Sequence, residues 1–137
     1  MATLKSSTIE TTDGTISAGL NITNATGLQF TKAGYFPVTS LTSGATVAWD
    51  AGSNQSATLT LAHNVTISDA TNHAAGGVYL LRIVQGAAAK TVSWVSGYKW
   101  PGGSAPTMTV TANKVDVFTF VSDGTNMYGS FSGSQNY

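Results

Sequence analysis

The 137-residue chain carries six basic and six acidic side chains, a charged fraction of 9% and no cysteine. The missing cysteine excludes a disulfide framework and thiolate chemistry, and so sparse and balanced a charge excludes a basic surface that would neutralise nucleic-acid phosphates. Threonine, serine and glycine, at 21, 15 and 15 copies, take the place of charge. Because β-branched threonine suits a pleated, half-buried surface and is an indifferent helix former, the composition points to an all-β protein.

The chain opens on a polar stretch, and its longest apolar run, Val78–Leu81, falls far short of a signal core or a membrane span. Ala2 to Ile9 alternates weakly before a turn at Asp13-Gly14. Ile16, Ala18, Leu20 and Ile22 then alternate with Ser17, Gly19, Asn21 and Thr23, which predicts a strand with one wet face. Gly27 to Thr31 places Leu28 and Phe30 on one side, and Gly34 to Pro37 bends the chain ahead of Val38 and Leu41. Thr46 to Asp50 predicts a strand ending in a turn at Asp50-Ala-Gly-Ser-Asn54. Gln55 to Ala62 alternates Ala57, Leu59 and Leu61 against hydroxylated residues, and Val65 and Ile67 mark the next strand.

Val78 to Gln85 is the most apolar strand, and Thr91 to Val95 follows a turn at Gly86–Ala89. Next comes a loop punctuated by glycine and proline, then a brief strand at Met108–Val110. Asp116 to Ser122 sets Val117, Thr119 and Val121 on one face and Phe118, Phe120 and Ser122 on the other. Asp123-Gly124 signals a hairpin into Asn126–Ser132. About nine or ten short strands with frequent turns predict one domain over residues 1–137, a two-sheet antiparallel β-sandwich of jelly-roll type.

Residues with catalytic potential do not assemble into a motif. His63 and His73 lack the spacing of a zinc pair, no serine sits in a Gly-x-Ser-x-Gly elbow, and Asp13, Asp69 and Asp123 occupy turn positions that favour aspartate. The expectation is a protein without enzymatic activity, catalytic residues, metal or cofactor. The aromatic residues are more informative. Trp49, Tyr79, Trp94, Phe118 and Phe120 lie in alternating strands, as core or subunit-interface residues do. Tyr98 and Trp100, in the loop Trp94–Thr107, are candidates either for packing against a neighbouring subunit or for stacking on a glycan.

Three segments carry a family resemblance: Val78-Tyr-Leu-Leu-Arg-Ile-Val-Gln85, the loop Gly97-Tyr-Lys-Trp-Pro-Gly-Gly-Ser-Ala-Pro106 with Thr91-Val-Ser-Trp94 before it, and Asp116-Val-Phe-Thr-Phe-Val-Ser-Asp-Gly-Thr-Asn-Met-Tyr-Gly129. Over residues 45–132 the chain resembles a β-sandwich module of tailed bacteriophages. It is similar both to trimeric capsid decoration, or cement, proteins and to distal receptor-facing domains of tail fibres and tailspikes. The chain runs from Met1 almost directly into compact strands, without a shaft, which favours the decoration protein. The resemblance then implies a virion structural protein made in the host cytoplasm, a homotrimer bound to the major capsid protein on the outer head surface. In that reading residues 1–9 form an arm, with Met1, Ala2, Thr3, Leu4 and Lys5 as candidate capsid contacts. The alternative is the distal domain of a tail fibre or tailspike that recognises a host-surface glycan.

Overall fold

A computed structural model describes residues 34–130 and 136–137. The expected strands at 2–9, 16–23 and 27–31, and the candidate arm Met1–Lys5, lie outside the described residues. Among the described residues nine strands run in chain order: β1 (Val38–Leu41), β2 (Thr46–Val47), β3 (Ser56–Leu61), β4 (Val65–Ile67), β5 (Val78–Gln85), β6 (Val92–Trp94), β7 (Tyr98–Lys99), β8 (Val115–Ser122) and β9 (Met127–Ser130). They form two sheets, one of six strands in the order β1-β3-β5-β8-β9-β7 and one of three in the order β2-β4-β6. The protein is all-β, as its composition predicts.

The pairing differs from an antiparallel jelly roll. β1, β3 and β5 pair in parallel, as do β2, β4 and β6, and only β5–β8 and β8–β9 are antiparallel. Consecutive strands alternate between the sheets, so β1 to β6 describe three turns of a coil. Val38 lies beside Ser56 and Ser56 beside Leu80, while Thr46 lies beside Thr66 and Thr66 beside Ser93. A parallel return needs a crossover, and the crossover here is a strand of the other sheet. The antiparallel β8–β9 hairpin ends the coil, turned by Asp123, whose carboxylate accepts the N–H groups of Thr125 (2.8 Å) and Asn126 (2.6 Å).

Period-two alternation decides what each strand buries. Ala57, Leu59 and Leu61 of β3, Tyr79, Leu81 and Ile83 of β5, and Phe118 and Phe120 of β8 enter the core with Val47, Val65 and Ile67 from the smaller sheet. Each valine, leucine, isoleucine and phenylalanine among them contributes about 1.5–3 kcal/mol relative to exposure. Trp49, fully buried, stands edge-on to Tyr79 and Phe120 at centroid distances of 6.3 and 5.9 Å, and its indole N–H donates to the Asn54 carbonyl.

No strand forms at Met108–Val110. There, hydrogen bonding to a buried carboxylate replaces a ladder: the Thr109 N–H donates to Asp116 Oδ2 (2.6 Å) and its hydroxyl to Oδ1 (2.7 Å). Asn136 N–H adds bonds to Thr109 Oγ1 and Asp116 Oδ1, and Val115 and Tyr137 exchange a pair of backbone bonds. Buried Gln85 closes the β5–β6 connection by donating to the carbonyls of Lys90 and Thr109 and accepting the Lys90 N–H. Buried polar groups of this kind are tolerated because their hydrogen bonds are made inside the protein.

Candidate functional site

The loop after β6 contains a further strand. Tyr98 and Lys99 form β7, an added edge strand parallel to β9, with Tyr98 beside Met127 and Lys99 beside Tyr128. Sequence reading missed this strand because two residues show no alternation. Pro101 then opens a 3-10 turn through Gly103. Gly102 and Gly103 take φ of 72° and 80°, values that glycine adopts without steric cost.

The structure separates the two loop aromatics. Tyr98 is only 4% exposed and donates its hydroxyl to the Ser68 carbonyl at 3.1 Å. Burial, with a smaller contribution from the Asp69 charge, pushes its phenol above the ordinary range. Tyr98 is therefore a core residue and presents no face to a ligand. Trp100 is half-buried. Its ring sits 5.0 Å from Trp94, 5.8 Å from Phe118 and 5.6 Å from Phe120, and lies against the backbone of Gly129. Trp94 in turn packs on Tyr98 at 5.0 Å and Phe118 at 5.1 Å, and Phe120 touches Trp49, Trp94, Tyr98, Trp100 and Phe118. Among the described residues neither the Trp94 nor the Trp100 indole N–H, both buried, meets an acceptor.

Beside Trp100 a cleft of about 300 Å³ is lined by Lys99, Trp100, Pro101, Tyr128 and Gly129. Tyr128 is the residue that sequence reading did not single out. It follows Met127, which is buried, so alternation along β9 turns it outward, and it is 49% exposed. Its hydroxyl donates to Asp123 Oδ2 at 2.9 Å. That bond raises the phenol, while the N–H groups of Asn126 and Thr125, and then the Tyr128 hydroxyl, hold the Asp123 carboxyl well below the usual carboxylate range. The ring is thus held at both ends, by the strand and by the turn. Lys99 is exposed, with its ammonium on the Ser96 carbonyl at 2.6 Å. The site combines a pinned aromatic face, a half-buried indole, a proline wall and an ammonium, which suits the mixed apolar and hydroxylated surface of a sugar.

The remaining residues with catalytic potential are scattered. His63 is exposed near Ser43, whereas Nδ1 of His73 lies 2.6 Å from the hydroxyl of buried Ser122. Among the described residues no three His, Asp or Glu side chains gather as a metal site.

Comparison with known families matches the chain to the family described as "Putative phage tail fibre C-terminal domain", over residues 47–127. No curated protein and no solved structure matches the chain. The matched stretch runs from β2 into the first residue of β9 and takes in the loop that builds the cleft. With more than half of its length matched, the chain belongs to the phage tail fibre C-terminal domain family.

Proposed function

We propose that this protein is the receptor-recognising distal domain of a phage tail fibre and binds a host-surface glycan in the cleft between Trp100 and Tyr128. The observation that carries the reading is the family match over residues 47–127, which names the tail fibre and not a capsid decoration protein. The binding at the outer head surface and to the major capsid protein expected from the sequence has no comparable support. The cleft supports the glycan: Tyr128 is exposed yet fixed by Asp123, so stacking a pyranose on it costs little side-chain entropy. The domain acts by binding and not by catalysis. As a homotrimer it would present three such clefts, whose joint occupation gives avidity without strong individual contacts.

Labelled protein applied to bacterial strains tests this directly. Binding to a subset of strains, competed by their own purified surface polysaccharide and lost in Tyr128→Ala with the fold retained, is the expected result. A copy number per virion that scales with the capsid lattice would return the protein to the head. Sedimentation equilibrium checks the trimer.

A further inference from the structure

The outer face of the six-stranded sheet continues the cleft, and its charge is one-sided. Cross-strand neighbours project to the same face, so the register defines its rows. Lys99, Tyr128, Val121 and Val78 form one row. Ser130, Thr119, Leu80, Ser56 and Val38 form the next, and Val117, Arg82, Thr58 and Ser40 the one after. The face therefore offers hydroxyls and partly exposed aliphatics, Val78, Leu80 and Val121 among them, with Tyr128 near one edge. Its charged residues are Lys99 and Arg82, both exposed, and among the described residues no strand of this sheet turns a carboxylate outward. Asp116, the acid within these strands, points into the core. Asp123 borders the cleft from the β8–β9 turn, with its carboxylate occupied by the Thr125 and Asn126 N–H groups and the Tyr128 hydroxyl.

From these features we infer that the glycan taken by this face is acidic, a polysaccharide bearing carboxylate or phosphate groups, with Lys99 pairing the anion beside the sugar stacked on Tyr128 and Arg82 meeting a second anion farther along the chain. This inference rests on the glycan-binding reading above. Lys99 and Arg82 stand three strands apart, about 14 Å across the sheet, and two rows apart, about 13 Å along it. That separation, roughly 20 Å by the same spacings, requires an extended charged chain and not a single sugar. A neutral glycan would use the Tyr128 face and take at most a neutral hydrogen bond from either cation, without the charge pairing that an anion adds.

The test uses the full chain against a panel of purified bacterial polysaccharides, each offered intact, after carboxyl reduction and after dephosphorylation. Acidic members should bind, and removal of the responsible anion should weaken binding about fivefold or more, the two treatments separating uronate from phosphate. Lys99→Gln should cost about fivefold with the acidic glycan, as an exposed ion pair does. Pairing it with Arg82→Gln should cost more and flatten the salt dependence, while neither variant alters the folding transition. Equal binding of intact and discharged glycans, with no response to salt or to Lys99→Gln, would overturn the acidic assignment and leave the glycan site standing. Failure of every glycan to bind, or full binding by folded Tyr128→Ala, would remove the site itself.

Discussion

Replacing Gly129 with alanine is the most direct test of how the cleft is joined to the core. A methyl placed there would lie 2.3 Å from Cζ3 and 2.7 Å from Cε3 of Trp100, and 3.0 Å from Cε1 of Phe120. Phe120 is fully buried and Trp100 is packed on Trp94 and Phe118, so neither ring has room to give. Overpacking of this kind costs about 1–3 kcal/mol. Gly129 does not have positive φ, so alanine is compatible with its backbone and recovers about 0.4–1 kcal/mol by restricting the unfolded chain. The steric cost exceeds that gain, leaving a net loss of about 1–2 kcal/mol, or about 4–8 °C in Tm for a chain of this size. Thermal and urea unfolding of Gly129→Ala, alone and combined with Trp100→Val, measure it. The double variant should recover most of the added penalty, a coupling that appears only between residues in contact. An unchanged or raised Tm for Gly129→Ala, or strict additivity in the cycle, would refute the packing of Trp100 on β9.

Four further outcomes follow from the hydrogen-bonded polar groups. Asp116→Ala should destabilise by about 2–4 kcal/mol in urea, because Thr109 loses the acceptor for both its N–H and its hydroxyl in a buried site; an effect under about 0.5 kcal/mol would show that the carboxylate does not hold the 104–113 segment. Asp123→Asn should bring the Tyr128 phenol down toward about 10, because its raised value depends on the carboxylate, and ultraviolet titration against wild type reads the change. Since the folded Asp123 carboxyl titrates below its unfolded counterpart near 4, its contribution to the turn is complete above about pH 4 and is lost only as pH falls through the lower folded value. The amides of Thr125 and Asn126, followed by NMR, should therefore keep their shifts down to pH 4; movement between pH 6 and 5 would contradict the assignment. Tyr98→Phe should cost about 1 kcal/mol, the worth of its bond to the Ser68 carbonyl, while leaving any glycan binding intact; loss of binding with the fold unchanged would return Tyr98 to the site.

Much of the fold was legible locally. The strand Val78–Gln85 has the bounds its composition predicts, and the inward set Phe118, Phe120 and Ser122 follows from alternation alone. The Asp123-Gly124 turn does join an antiparallel pair, because a tight turn leaves the next strand nowhere else to go. Where strands are joined by longer segments, a period of two assigns each side chain to a face but says nothing about which strand lies alongside. The same spacing of short strands and turns accommodates a jelly roll or a coil, and the parallel registers of β1, β3 and β5 choose the coil. The brief strand expected at Met108–Val110 failed for a related reason, since an acid seven residues on captured both polar groups of Thr109.

The candidate site divides in the same way. Composition already marked the Trp94–Thr107 loop as aromatic, punctuated by glycine and proline and free of catalytic motifs, and the resemblance of residues 45–132 placed it in a phage module. Tertiary structure decided which aromatics remain accessible. Tyr98 became core because β7 pairs with β9 and turns its ring inward, and the same pairing sets Lys99 beside outward-facing Tyr128, 29 residues further along the chain. No local pattern links those two positions; their adjacency is a property of the register between two short strands, and that register builds the cleft.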